Sequence, residues 1–187
     1  MLYRSVRPDD ASALAAIHNH YVAATAITFQ VEPSTQAMFR RKIEDIAGRY
    51  PFLVCEEAGR VLGFAYAAAF RTKEAYQWDV ELTVYLAPDC QGKGAGSGLY
   101  ARLLRLLTAQ GFAAAYACVT VPNEASGALH RRFGFTEVGR FPASGYKLGR
   151  WHDVVWYHLP LGDMPDPPPA PLPFGALSAA KVAELLA

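Results

Sequence analysis

Two spacings of hydrophobic residues recur along the chain, and they separate the predicted helices from the predicted strands. Apolar side chains three or four positions apart form helical stripes, as at Leu99, Leu103 and Leu106. This spacing predicts four helices in the body of the chain. They are expected to begin after Asp9 or Asp10, after Ser34, near residue 97 and after Asn123.

Strands are predicted where apolar residues alternate with polar ones or run continuously. In residues 78–86 the side chains of Glu81, Thr83 and Tyr85 share one face, and apolar residues share the other. Residues 112–121 form a continuous apolar run, which is typical of a central strand. Further strands are expected at 2–7, 52–57, 61–70, 135–141 and 153–159, with a loop or a small hairpin over 145–153.

The order of these elements predicts a mixed α/β fold in layers, with a glycine-rich loop between the fourth strand and the third helix. A chain of 187 residues suits one domain, which we assign to residues 1–161. Residues 162–187 differ in composition, because a proline-rich stretch precedes a short helix-prone end. We expect this extension to dock on the body of the domain or on a partner.

Composition and charge narrow the classes of function. The formal net charge is +1 and the charged residues form no basic stripe, so no nucleic-acid partner is expected. The N-terminus has no apolar signal stretch and no run long enough to span a membrane follows, so a cytoplasmic protein without membrane contact is expected. The three cysteines are widely spaced and match neither a disulfide framework nor a zinc pattern.

The most informative stretch is residues 91–98, Gln-Gly-Lys-Gly-Ala-Gly-Ser-Gly, in which every second residue is glycine. It does not match the Walker loop of ATP-binding proteins, because Gly94 and not Ser or Thr follows Lys93. It does not match the dinucleotide fingerprint either, because the place of the third glycine holds Ser97 or Leu99. Glycines ahead of a helix still let backbone N–H groups converge on a phosphate, and an ordinary solvent loop is the alternative.

Glu81 lies on the polar face of the strand that leads into this loop, about 16 Å before the end of the strand. A long cofactor held by its phosphates at the loop, such as coenzyme A, can extend along the strand and place its reactive end near Glu81. The neighbouring Asp79 and partial burial are both expected to raise the pKa of Glu81 towards that of a general base. Without the loop, a pair of solvent-exposed carboxylates is the simpler interpretation.

Several segments give the chain a family resemblance. Gln91-Gly-Lys-Gly-Ala-Gly96 matches the Gln/Arg-x-x-Gly-x-Gly/Ala motif of the GNAT N-acetyltransferases, and Asn123…Leu-His-Arg-Arg-Phe-Gly-Phe135 matches their next block. Glu81-x-Thr-Val-Tyr85 and Gly145-Tyr-Lys-x-Gly-x-Trp151 resemble segments of the phosphinothricin and methionine sulfoximine acetyltransferases in that superfamily. The resemblance spans about residues 2–160. It implies the GNAT acyl-CoA N-acyltransferase fold, an α/β fold with a mixed central sheet and helices on both faces.

The resemblance also implies an acetyl-CoA-dependent N-acetyltransferase and assigns candidate residues by position. Glu81 falls at the general base of the family. His130 falls where many members have a tyrosine near the sulfur, and it is expected to protonate the departing thiolate. For Asn123 a helix cap, and for His130 a buried structural side chain, are the alternatives. The residues expected to bind the cofactor are Val84, Tyr85, Leu86, Gln91, Gly92, Lys93, Gly94, Ala95, Gly96, Ser97 and Asn123.

On the acceptor side, the resemblance implies a small amino-acid analogue that attacks the thioester directly, with no metal. The two cations Arg71 and Lys73 suit a carboxylate and a phosphinate or sulfoximine group of the substrate. The alternative is that they belong to an exposed charged turn. A homodimer is expected from the relatives. A polyamine or a protein N-terminus is the rival acceptor, and a non-catalytic module that binds coenzyme A is the rival class. The residues expected to bind the amine substrate are Phe29, Arg71, Lys73, Tyr76 and Lys147.

Overall fold

The chain folds around one seven-stranded sheet in a computed structural model that describes residues 1–163 and 165–187. The strands are β1 (Leu2–Ser5), β2 (Phe52–Glu57), β3 (Arg60–Ala69), β4 (Asp79–Leu86), β5 (Ala114–Val121), β6 (Thr136–Lys147) and β7 (Arg150–Pro160). The helices are α1 (Ala11–Ala24), α2 (Gln36–Ala47), α3 (Ala95–Gln110), α4 (Glu124–Arg132) and α5 (Ala179–Leu186). The strand order is β1-β2-β3-β4-β5-β7-β6, and only β4 and β5 are parallel neighbours.

Helices cover both faces of this sheet, as the alternating pattern of β4 requires. On one face, the ring of Tyr85 lies 5.0 Å from the ring of His18 and 5.2 Å from that of Tyr21, both on α1. On the other face, the side chain of Leu86 lies 3.3 Å from where a Cβ on Gly96 of α3 would sit. The mixed sheet with helices on both faces is therefore confirmed. None of the described helices has the length and apolar character needed to cross a bilayer.

β4 and β5 pair only at their first residues. Asp79, Val80 and Glu81 are in register with Ala114–Tyr116, although the two strands continue to Leu86 and Val121. Beyond Glu81 the strands therefore separate and leave an opening in the middle of the sheet. This opening positions the candidate functional site.

One local feature differs from the sequence-based predictions, and the structure decides one alternative that they left open. Thr35, not Ser34, caps α2, since its hydroxyl accepts a hydrogen bond from Met38 N–H at 3.2 Å. Of the loop and the small hairpin expected over residues 145–153, the structure has the hairpin. Leu148 and Gly149 form its turn with φ values of +52° and +76°, as a two-residue hairpin turn requires.

The C-terminal extension lies along the body of the domain. The indole of Trp78 donates a hydrogen bond to Pro169 O at 2.7 Å. The backbone N–H of Leu172 donates to Gln110 O at 2.8 Å, and the Gln110 amide donates back to Leu172 O at 2.7 Å. The extension was expected to dock on the body of the domain or on a partner. In the structure it contacts the body of its own chain. Met164, which belongs to the predicted extension, lies outside the described residues.

Candidate functional site

A cavity of about 240 Å³ lies where β4 and β5 separate. The polar face of β4 forms one wall, with Glu81 at the point of separation and Thr83 beyond it. Phe29, from the connection between α1 and α2, and Cys118 of β5 contribute to the other walls. The alternating pattern read from the sequence therefore places Glu81 inside a cavity rather than on an open surface.

Burial raises the pKa of Glu81 above that of an ordinary glutamate, and the positive charge of Arg71 opposes the shift. Asp79 is not a cause of this shift, in contrast to the expectation from the sequence. Burial also raises the pKa of Asp79, and the nearby His158 opposes the shift. Glu81 is thus a carboxylate with increased proton affinity, which suits a general base near neutral pH.

The backbone polar groups of β4 alternate between β3 and the opening. Ala87 N–H donates to Leu62 O at 2.8 Å, so alternate residues before it also turn their backbone groups towards the β3 side. The backbone groups of Val84 and Leu86 point towards β5, which is no longer paired with β4 at this point. The hydroxyl group of Tyr21 donates to Leu86 O at 2.6 Å. The backbone groups of Val84 face the opening and can bind an extended ligand.

A second cavity, of about 420 Å³, connects the opening with the start of α3. Gly92 and Gly94 have φ values of +73° and +85°, a left-handed conformation that glycine adopts without strain. Gly94 is the N-cap of α3 and brings no side chain, so no side-chain cap occupies the N–H groups of the first turn. Gly96 and Ser97 of that turn line the cavity. These donors and the positive end of the helix dipole suit a diphosphate.

Most of the residues predicted to bind the cofactor lie on the wall of this second cavity. Lys93 and Ala95 do not: the side chain of Lys93 is exposed, and Ala95 is buried in the core. At the loop, this wall therefore offers backbone groups and not the side chain of Lys93. The predicted residues on the wall are Val84, Tyr85, Leu86, Gln91, Gly92, Gly94, Gly96, Ser97 and Asn123.

His130 is 2% exposed and both of its ring nitrogens are paired. Nδ1 lies 2.7 Å from Ser126 O, and Nε2 lies 2.9 Å from the hydroxyl group of Tyr100. A carbonyl oxygen only accepts, so Nδ1 carries the proton and Nε2 accepts from Tyr100. Burial lowers the pKa of His130, and the hydrogen bond to Ser126 opposes the shift, so the ring is neutral at pH 7. The ring borders the cavity that holds Glu81.

Asn123 has the structural role that its position predicts, and it also reaches the site. Its side-chain oxygen accepts a hydrogen bond from Ser126 N–H at 3.2 Å, which caps α4. The same residue lines both the cavity of Glu81 and the cavity of the glycine loop. The cap therefore fixes α4 at the junction of the two cavities.

The structure brings two of the predicted substrate-binding residues close to Glu81. Phe29 lines the same cavity. The positive charge of Arg71 favours the ionised form of Glu81 and so opposes the rise in its pKa that burial causes. The guanidinium carbon of Arg71 lies 4.0 Å from the ring centroid of Phe70 and 5.3 Å from that of Trp156. Stacking on two aromatic rings holds this cation near Glu81, although Arg71 is exposed and lines neither cavity.

The other three predicted substrate residues lie elsewhere. Lys147 is 6% exposed, and its ammonium group donates to Thr28 O at 2.8 Å, so it anchors the connection that carries Phe29. Lys73 and Tyr76 are exposed and do not line either cavity.

Two residues of the site were not identified from the sequence. Tyr21 has the helical spacing of a core residue with Leu14 and Ile17, yet its hydroxyl group donates to Leu86 O and accepts from the Gln91 amide at 3.0 Å. A buried tyrosine hydroxyl needs a hydrogen-bond partner, so a tyrosine in a buried stripe could have indicated such a contact from the sequence. Tyr100 lies among the leucines of α3 and pairs with His130. Among the described residues, no group of three His, Cys, Asp or Glu side chains can hold a metal ion.

Comparison with known proteins shows the family to which the chain belongs. The family model for the acetyltransferase (GNAT) domain matches residues 3–156. The chain is 44% identical over 163 residues to a phosphinothricin N-acetyltransferase of Streptomyces coelicolor, covering 83% of this chain and 95% of the relative. It is 36% identical over 157 residues to an L-methionine sulfoximine/L-methionine sulfone acetyltransferase of Pseudomonas aeruginosa, covering 81% and 90%.

A solved structure has the same fold. It is a GNAT superfamily phosphinothricin acetyltransferase from Sinorhizobium meliloti in complex with acetyl-CoA, with a TM-score of 0.83 and 36% identity. The match covers 86% of this chain and 88% of that chain. The loop amides at the start of α3 and the open backbone of β4 fit the phosphates and the extended arm of the same cofactor. The chain therefore belongs to the GNAT acetyltransferase family and is an acetyl-CoA-dependent N-acetyltransferase.

Proposed function

We propose that this enzyme acetylates the α-amine of a small amino-acid analogue, such as phosphinothricin or methionine sulfoximine. The names of its relatives support this class of acceptor. One observation in the structure carries the proposal: the half-buried carboxylate of Glu81 lines the opening, and the stacked guanidinium of Arg71 lies near enough to act on its charge. An amino-acid analogue presents an amine and an anionic group, which match these two side chains.

Glu81 acts as the general base in this proposal. Acetyl-CoA supplies the acetyl group as a thioester, with its diphosphate on the amides of residues 91–97 and its arm along Val84 and Leu86. The amine enters as an ammonium ion, and Glu81 removes one proton, directly or through water. The neutral amine then attacks the thioester carbon directly. A backbone N–H near Val84 stabilises the negative charge that develops on the oxygen.

His130 handles the second proton in this proposal. Conversion of an ammonium ion to an amide releases two protons, and the departing thiolate takes up one of them. Burial lowers the pKa of His130 and leaves the ring neutral, with Nε2 occupied by the Tyr100 hydroxyl group, which also lines the cavity. A proton therefore passes through Tyr100: its oxygen takes one from the amine as Nε2 takes the hydroxyl proton, and the reverse shift delivers a proton to sulfur. Ser126 and Tyr100 keep the ring in place through the bonds to its two nitrogens.

The rival acceptors fit the opening less well. A polyamine carries several positive charges, and Arg71 would repel one that enters beside Glu81. A protein N-terminus lacks the neighbouring carboxylate that a cation at Arg71 would bind. The amino-acid analogue is the acceptor that satisfies both charges.

Thiol release from acetyl-CoA with a panel of acceptors tests this proposal. We expect faster turnover with phosphinothricin or methionine sulfoximine than with spermidine, a short peptide, or the decarboxylated amine of the same side chain. The Arg71→Ala variant is expected to raise KM for the amino-acid acceptor about tenfold, the size of one lost charge-assisted contact. Arg41→Ala, on the exposed surface of α2, is the control. Turnover restricted to the polyamine or the peptide would refute the assignment.

We further propose that the enzyme forms a homodimer through the exposed face of the β6–β7 hairpin. Tyr146 and Trp151 are 60% and 62% exposed, and Phe141 is 53% exposed. The rings of Tyr146 and Trp151 lie 5.4 Å apart and form an aromatic patch of a kind enriched in protein interfaces. We expect light scattering to give the mass of a dimer for the wild type and of a monomer for Trp151→Lys. A monomeric wild type contradicts the proposal.

The setting that we propose is the cytoplasm, with a small-molecule amine as the partner. The donor acetyl-CoA is available in this compartment. Fractionation of cells that produce the protein is expected to recover the thiol-releasing activity in the cytoplasmic fraction, and recovery in another fraction contradicts the assignment.

A further inference from the structure

We propose that Arg132 binds the 3′-phosphate of coenzyme A and so lets the enzyme distinguish acetyl-CoA from its 3′-dephospho form. The inference rests on the cofactor site described above and deepens it. It assigns a side chain to a phosphate group that the glycine-rich loop does not serve.

Arg132 is the one formally charged residue on the described wall of the loop cavity. The other residues of that wall are glycines and neutral polar or apolar side chains. Within the described parts of the chain Arg132 forms no salt bridge, whereas the adjacent Arg131 pairs with Glu124 at 3.8 Å. Arg132 thus lines the same cavity as the first turn of α3 and has no carboxylate partner among the described residues.

The position of Arg132 on α4 separates it from the reactive end of the cofactor. α4 begins beside Asn123, which lines the cavity of Glu81, and Arg132 is its last residue. A helix of this length spans about 13 Å. Arg132 lines the loop cavity but not the cavity of Glu81. It therefore lies at the end where the adenosine part of the cofactor leaves the diphosphate.

The chemistry of the two phosphate sites differs. The diphosphate is served by the backbone amides at Gly94–Ser97, and no cation is needed from Lys93, which is exposed and off the cavity wall. The 3′-phosphate is a monoester with nearly two negative charges and needs a charged partner. A guanidinium binds a phosphate through two parallel hydrogen bonds, which suits this task.

Arg131 offers a matched control on the same helix. It carries the same charge one position earlier, but it lines a different cavity together with Gly127 and Tyr157. Replacement of either arginine by glutamine changes the net charge by the same amount. A long-range effect of charge would appear in both variants, and a direct contact with the cofactor would appear in only one.

Calorimetry with coenzyme A and with 3′-dephospho-coenzyme A tests the inference on the purified full chain. We expect the wild type and Arg131→Gln to bind coenzyme A about tenfold more tightly than the 3′-dephospho form. Arg132→Gln is expected to bind both forms with the weaker affinity. In turnover, Arg132→Gln should raise KM for acetyl-CoA about tenfold at constant kcat, because the contact lies far from the reacting atoms.

Two results would overturn the inference. One is a wild type that does not distinguish the two cofactors. The other is an Arg132→Gln variant that loses the same factor for both forms, since this assigns Arg132 to the diphosphate. A wild type that binds neither cofactor would contradict the cofactor site itself, and the assignment of Arg132 with it.

Discussion

The hydroxyl group of Tyr21 connects α1, the end of β4 and the glycine loop, and its removal tests how much these contacts fix the site. It donates to Leu86 O at 2.6 Å and accepts from the Gln91 amide at 3.0 Å. Leu86 and Gln91 both line the loop cavity. The Tyr21→Phe variant removes both hydrogen bonds and keeps the ring packed against Tyr85.

The expected cost follows from the number of bonds lost. A hydrogen bond contributes about 1 kcal/mol of net stability, so Tyr21→Phe should lower the free energy of unfolding by about 2 kcal/mol. Water can reach the released groups through the cavity, so the larger penalty of a dry unpaired group does not apply. For a chain of this length the loss corresponds to a fall in Tm of about 4–8 °C. The dissociation constant for coenzyme A should rise severalfold, because Leu86 and Gln91 lose a fixed position.

Thermal unfolding and calorimetry with coenzyme A measure the two effects. Tyr50→Phe is the matched control: Tyr50 is 9% exposed and stacks on Phe112, and its hydroxyl group bonds to none of the described residues. We expect the control to melt within about 1 °C of the wild type, since it loses no hydrogen bond. If Tyr21→Phe behaves like Tyr50→Phe in both measurements, the two hydrogen bonds do not hold the loop and the reasoning fails.

Two further predictions concern stability. A Cβ on Gly98 would overlap the hydroxyl oxygen of Tyr3, so Gly98→Ala should cost about 1–3 kcal/mol in urea unfolding, and adding Tyr3→Leu should restore part of it. Full stability of Gly98→Ala would contradict the close approach. Burial raises the pKa of Asp10, but hydrogen bonds from Arg4 and a backbone N–H outweigh it and leave the pKa lowered. Because the folded pKa is lowered, this stabilisation is complete above about pH 4 and is lost as the pH falls through the folded value. Asp10→Asn should therefore be less stable than the wild type at pH 7 and converge with it in acid, and a constant difference across pH would contradict this.

Local patterns were sufficient to predict most of the framework. The alternation over 78–86 placed Glu81 on the correct face of β4, and the leucine spacing located α3 with its start only two residues too late. These features depend on neighbours in sequence, which is why they can be read directly. The cap of α2 was misplaced by one residue because Ser34 and Thr35 have equivalent side chains. Only the tertiary structure shows that the backbone of Ser34 binds Asn19 instead.

Contacts between distant segments were not predictable. The hydrogen-bond partner of His130 Nε2 is Tyr100, 30 residues earlier in the chain. The charge that acts on Glu81 comes from Arg71, which the turn of the β3–β4 hairpin brings back, and not from the adjacent Asp79. Arg131 and Arg132 are equivalent in sequence, and only the orientation of α4 separates the one at the loop cavity from the one beside Glu124.

The dependence of turnover on pH in Glu81→Gln tests the central claim most directly. Because burial raises the pKa of Glu81, the rate of the wild type should rise with pH through a value above that of an ordinary glutamate and then level off. Glutamine cannot accept the proton, so kcat/KM for the amine should fall by about 10²–10⁴ near pH 7, and the acidic limb should disappear. The dissociation constant for coenzyme A should stay unchanged, since Glu81 lies outside the loop cavity. A variant with the activity and pH profile of the wild type would show that Glu81 is not the base.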